Sequence, residues 1–151
     1  MKYDPYVLAA LVKIFAGAIS PSTSVLVDHR SIILNLVNNE RAKISIQPLK
    51  MNSALCMLAE SKSQEMVDKN YFSHQSPNLG SAFDMMRSHG INYMIAGENL
   101  AIDQNADHAH IAWMSSKAHR ENILNPSFTE IGLGICAKGN SSYVYTMMFI
   151  G

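Results

Sequence analysis

A chain of 151 residues with 48% apolar and 16% charged side chains is long enough to bury a core of its own, and too apolar to stay disordered. Twelve Lys and Arg balance twelve Asp and Glu, and the basic residues form no patch interleaved with aromatics, which argues against nucleic acid as a partner. Two cysteines are too few for a disulfide framework and match no zinc pattern.

The first 27 residues read as an apolar segment and linker ahead of a domain over 28–151. The run at 7–15 followed by Ala16-Gly17-Ala18 has the spacing of a signal-peptidase site, yet Lys13 interrupts it and Asp4 offsets Lys2. It is either the remnant of an export signal or a short amphipathic helix packed on the domain, and it is too short to span a membrane. Residues 21–24 read as the linker. Asp28 is placed to cap a first helix with Ile32, Ile33, Leu36 and Val37 on one face and Asn38, Asn39, Glu40 and Arg41 on the other. Pro48 closes that stretch.

Asn52 can cap a second helix, along which Leu55, Leu58, Ala59, Met66 and Val67 recur at helical spacing until Asn70. Ser, Pro, Asn and Gly make 74–80 a loop, and 81–89 forms a short third helix that Gly90 can end in a left-handed cap. A brief apolar piece at 93–96 stops at Gly97, where the backbone can turn and aim Glu98 inward. Asn105 opens a fourth helix through Ile111 and Trp113 that breaks near 116–119. Two strands, 131–137 and 142–150, flank Lys138-Gly139-Asn140 as a hairpin. Helices followed by strands predict an α+β domain with a mainly antiparallel sheet. Ten methionines suit the flexible filling of an irregular core. Cys56 and Cys136 read as small buried hydrophobes or, since one sits on a helix and one on a strand, as a single long-range disulfide.

Three phrases hold the ionisable groups that chemistry would need: YFSHQSP (71–77), AGENLA (96–101) and WMSSKAHRENIL (113–124), carrying His74, Glu98, and His119 with Glu121. Two imidazoles and a carboxylate are what a divalent ion or an acid–base pair requires. Each alone has a plainer reading, as a solvated loop histidine, a hydrogen-bonding carboxylate or a surface ion pair. His108 and His110 stand two apart on one helix, lack the spacing of a helical zinc pair, and read as structural or solvent-facing.

Taken in order, LNLVNNERA (34–42), PLKMNSALCMLAESKSQEM (48–66), the three phrases above and FTEIGLGIC (128–136) resemble the CAP superfamily of cysteine-rich secretory, antigen 5 and pathogenesis-related proteins, and more closely its short bacterial extracellular and spore-associated branch. The resemblance implies a three-layer α-β-α sandwich with a small antiparallel sheet between helices, and a cleft lined by His74, Glu98 and His119. It further implies that a divalent metal such as zinc can be held weakly between His74 and His119, with Glu98 orienting a ring or a water. Many eukaryotic members carry a second acid three residues after the tryptophan; here that position is Ser116, and Glu121 is the candidate substitute. The family resemblance also implies an extracellular or envelope location, possible spore association, a monomer, and a small ligand, lipid or envelope component as partner. A non-enzymatic binding module is the expected role. The alternative is a metal-dependent hydrolase with Glu98 as general base.

Overall fold

The computed structural model describes residues 21–151, with side chains from His29 onward; the apolar run at 7–15 and the Ala16-Gly17-Ala18 site lie outside the described residues. In chain order the elements are α1 (Pro21–Lys43), β1 (Lys50–Met51), α2 (Ser53–Asp68), α3 (Ala82–Ser88), β2 (Ala96–Asp103), α4 (Ala106–Ser115), α5 (Lys117–Ile123), β3 (Glu130–Lys138) and β4 (Ser142–Ile150). The strands form one sheet in the order β1-β3-β4-β2. The hairpin β3–β4 and the β2–β4 pair are antiparallel, while β1 runs parallel to β3, so the sheet is mixed.

Side-chain alternation along the strands divides the core in two. One face presents Ala101, Ile131, Leu133, Ile135, Tyr145, Met147 and Phe149 to Ile33 and Val37 of α1, Ala109 and Trp113 of α4, and Ile123 of α5. On the other face Met148 and Ile150 pack on Leu55, Leu58 and Ala59 of α2 and Met85 and Met86 of α3, with Leu100 and Val144 on Met66 beside them. The expected α-β-α sandwich is therefore present.

Local chemistry explains most element ends. The Asn52 side chain accepts from Leu55 N–H at the start of α2, and Asn105 does the same for His108 at the start of α4. Ser81 and Asp84 form a reciprocal capping box on α3, and Gly90 follows that helix at φ 69°. Several expectations are corrected. Among the described residues α1 is already helical at Pro21, so 21–24 is not a linker and Asp28 lies inside the helix instead of capping it. Gly97 does not turn the chain, because 96–103 pairs with β4 along its whole length. The break after Trp113 is confined to Ser116, and His119 rides on α5. Arg41, assigned to the polar face, is fully buried. It continues the Ile33–Val37 stripe at i+4, and its guanidinium donates to the carbonyls of Gln47, Ile123, Asn125 and Phe128 at 2.8–3.0 Å. These four donated hydrogen bonds offset the desolvation of the charge and tie α1 to the end of α5.

Both cysteines are thiols: Cys56 accepts from Leu133 N–H at 3.4 Å and Cys136 donates to Gln64 Oε1 at 3.2 Å. The disulfide alternative is thereby excluded.

The sheet's two outer strands are closed in different ways. β1 is only two residues long. On β2, the carbonyls of Glu98 and Leu100, two apart and so on the same edge, accept from Asn122 Nδ2 at 3.3 Å and from Trp113 Nε1 at 3.0 Å.

Helix α2 lies almost on the backbone of β3. A Cβ added at Gly132 would come within 2.3 Å of Leu55, and one at Gly134 within 2.0 Å of the Ala59 carbonyl carbon. The obstacle at Gly134 is main chain, which cannot swing aside. Gly134→Ala should therefore lower stability by more than the roughly 1–3 kcal/mol of ordinary overpacking, whereas Gly139→Ala, with open space around it but a φ of 66°, should cost only about 1 kcal/mol. Urea unfolding of the two variants checks the contrast.

Candidate functional site

Glu98 and Asn99 are neighbours on β2 and therefore point to opposite faces of the sheet. Glu98 faces α2 and Asn99 faces α5, and each is at least nine-tenths buried. This alternation is what assembles the site, because it lets one edge strand hold a group from each helical layer.

On the α2 side, His74 Nδ1 lies 2.7 Å from Glu98 Oε1. The imidazole is otherwise in water, its side chain 64% exposed, while that of Glu98 is 4% exposed. Beneath them sits Lys62 of α2, completely buried. Its ammonium donates to Glu98 Oε1 at 3.1 Å and also to the main-chain carbonyl of His74. Glu98 Oε2 stands 3.0 Å from the same nitrogen, but out of hydrogen-bonding line with it. The ammonium balances the buried carboxylate, and the ion pair is anchored by further polar contacts.

The loop that carries His74 is tied down a second time. Glu65, one turn along α2 from Lys62 and also fully buried, accepts from Tyr71 Oη at 2.6 Å, from Ser76 Oγ and from Asn78 Nδ2 at 2.8 Å. Burial works to raise the Glu65 carboxyl, and the three donors outweigh it, leaving it below the usual carboxylate value. Burial and the hydrogen bond to Glu65 push the Tyr71 phenol up.

On the other side, Asn99 Nδ2 donates to the main-chain carbonyl of His119 at 3.0 Å, and Asn122 Nδ2 donates to Asn99 Oδ1 at 2.9 Å. The two amides clasp α5 against β2 and so place His119. Burial, with the charge of His74 acting in the same direction, holds the His119 imidazole below its ordinary value, and a neutral ring keeps a lone pair free to ligate. Ser116, where a second acid was absent, is the joint between α4 and α5. Glu121 is not brought into this arrangement: its side chain is 65% exposed and lies 3.7 Å from Lys117 Nζ.

The donor set suits a metal only weakly. With Nδ1 engaged by Glu98, His74 has Nε2 to offer, in the manner of a carboxylate-oriented metal histidine. Glu98 itself is committed to Lys62 and His74, and among the described residues no three His, Cys, Asp or Glu side chains converge so as to hold an ion. Two imidazoles at most remain.

Of the residues named from sequence, His74 and Glu98 are in contact and His119 reaches the same strand from the other layer. Lys62, Glu65, Asn99 and Asn122 were missed as supports. The one available signal was Lys62 and Glu65 within a helix otherwise read for its apolar stripe. His110 is buried, 3.9 Å from Glu40, with Nδ1 unpartnered among the described residues, so it is structural; His108 is exposed near Asp103.

The three-layer sandwich around a four-stranded sheet defines a class, and comparison with known proteins agrees on which. Residues 34–149 match the description "CAP: Cysteine-rich secretory protein family", and the chain belongs to that family. It is 49% identical over 120 residues to the uncharacterised protein YkwD of Bacillus subtilis, covering 79% of this chain and 46% of YkwD. It is 33% identical to the uncharacterised membrane protein YlbC of the same organism, covering 78% of this chain and 33% of YlbC. The chain thus spans less than half the length of these curated relatives. Among solved structures, an extracellular protein containing a SCP domain from Bacillus anthracis superposes with TM-score 0.79 at 31% identity, over 89% of this chain and 44% of that one. An outer surface protein of Borrelia burgdorferi, at 15% identity and TM-score 0.75, is matched over 82% of this chain and 92% of its own length and shares the fold.

The electrostatics of these buried groups set two expectations. Glu98→Gln leaves the Lys62 ammonium buried without its counter-charge and should cost about 3–5 kcal/mol in urea unfolding, whereas Glu121→Gln should stay within about 0.5 kcal/mol. Burial holds the His110 imidazole below its ordinary value, against the opposing pull of Glu40. The unfolded chain therefore binds this proton first, and the stability held above about pH 6.5 is lost as the pH falls. The thermal midpoint should drop between about pH 6.5 and pH 5, and less steeply in His110→Gln.

Proposed function

We propose that this chain is an extracytoplasmic binding module of the CAP family, one that recognises its ligand at the His74–His119 cleft without turning it over. The observation that carries the reading is the commitment of Glu98. Its Oε1 meets both His74 and Lys62, and its Oε2, although without a hydrogen bond, is buried 3.0 Å from the same ammonium. A carboxylate so placed orients an imidazole; a general base would need an oxygen open to a substrate proton. No observation favours the hydrolase alternative.

The cleft's offer to a ligand is ring nitrogen: His74 Nε2 from one layer and the neutral His119 from the other. A divalent ion such as zinc would be held by these two residues, with affinity modest and falling as the pH drops. It would supply an electrophilic contact for an oxygen of the ligand. A small ligand or an envelope component is the partner class this reading carries forward from the family, with a lipid held in an apolar groove as the variant. No helix among the described residues is long and apolar enough to cross a membrane. The extracellular description of the B. anthracis relative supports placement outside the cytoplasm.

Calorimetric titration of the metal-free protein with zinc tests the site. Weak saturable binding is expected, lost in both His74→Ala and His119→Ala, with no metal-dependent turnover of peptides or peptidoglycan. If the parent fails to saturate at millimolar zinc, the metal component of the reading is wrong. Turnover that depends on His74 would sink the non-enzymatic reading instead.

A further inference from the structure

We propose that Lys62 is the positioning residue of the cleft, and that it decides which ring nitrogen His74 presents to a ligand. One buried ammonium holds two things at once: the main-chain carbonyl of His74 and the carboxylate of Glu98. The histidine's backbone and its hydrogen-bond acceptor are thereby fixed relative to each other. The ring has little else to hold it, since its side chain is 64% exposed and it is not among the residues packed in the core clusters.

The consequence is chemical as well as geometric. Glu98 sits as an acceptor 2.7 Å from Nδ1, so in the neutral ring Nδ1 carries the proton and Nε2 is a bare lone pair on a largely exposed side chain. A solvated neutral histidine prefers the opposite tautomer, with the proton on Nε2 and a donor facing outward. Lys62 thus sets the polarity of the cleft. With it, the cleft offers an electron pair to a cation, a hydroxyl or an amine N–H; without the tether, the ring leaves Glu98 and offers a proton. The Glu65 network also anchors this loop, through Tyr71, Ser76 and Asn78, but it touches neither the His74 carbonyl nor its ring.

This inference rests on the reading of His74 as a ligand-facing residue, and its test uses no ligand, so the two fail separately. Long-range ¹H–¹⁵N spectra of the ¹⁵N-labelled protein, at a pH where His74 is neutral, distinguish protonated from bare ring nitrogens. In the parent His74 is expected with the proton on Nδ1. Lys62→Met, of similar length but uncharged and without donors, is expected to move it to Nε2. Ser76→Ala, which loosens the same loop through Glu65, is expected to leave the proton on Nδ1. A parent with the proton on Nε2 overturns the proposal, as does a folded Lys62→Met protein that keeps the Nδ1 proton or a Ser76→Ala protein that loses it. Should Lys62→Met fail to fold, the parent alone decides. A slowly exchanging Lys62 ammonium signal coupled through its hydrogen bond to the His74 carbonyl carbon upholds the tether, and the lack of that coupling refutes it.

Discussion

The close approach of α2 to β3 across Gly132 and Gly134 is the constraint on which the rest of the domain depends. Any side chain at those positions would meet Leu55 or the main chain at Ala59, so the helix rides lower on the sheet than ordinary side chains would let it. At that depth Ser63 Oγ can donate to the Gly134 carbonyl at 3.1 Å and pair with Thr146 Oγ1 at 2.8 Å. The same depth brings Lys62 within reach of Glu98 on the far strand, and Glu65 within reach of the loop that carries His74. An apolar interface would have set the helix at a distance where these side chains end in solvent or in unsatisfied burial. The Lys62–Glu98–His74 arrangement is thus a consequence of missing Cβ atoms two strands away.

A second principle is division of labour between the faces of one strand. β2 alternates Glu98 and Asn99, and each gathers its histidine from a different layer. The two helical layers need no direct contact with each other for the histidines to be brought to the same strand. Both histidines are also held by their main-chain carbonyls, so the imidazoles are placed by their backbones, that of His74 largely in solvent and that of His119 half-buried.

What the sequence made legible, and what it hid, divides along physical lines. Short-range chemistry was readable: Asn52 and Asn105 as caps, Gly90 as a left-handed stop, the hairpin around Gly139, and the apolar stripe of α2. Each depends on residues within a turn or so of one another. The three phrases bearing His74, Glu98 and His119 were found because their residue types are chemically unusual in combination. Long-range satisfaction was hidden. Arg41 looked solvent-facing because its partners, the carbonyls of Ile123, Asn125 and Phe128, lie more than eighty positions away. Lys62 and Glu65 stood out only as charges within an apolar helix, and their burial could not be read because a charged residue at a helical core position announces it only once its distant partners are known. Gly97 misled in the other direction: its freedom to turn is unused, and its lack of a side chain instead makes room beside Phe128, where a Cβ would lie at 3.0 Å.

The sealing of the sheet's outer strand by Trp113 and Asn122 bears on how such a domain can be built into larger polypeptides. Its CAP relatives are chains more than twice as long as the matched stretch in the case of YkwD. A sheet left with a bare edge would invite the strands of whatever is fused to it, or of a neighbouring copy, to zip onto the register of β2. Two side-chain donors on α4 and α5 occupy those carbonyls first. This tryptophan and asparagine therefore act as insulation, letting the domain be strung beside foreign sequence while its sheet stays four strands wide.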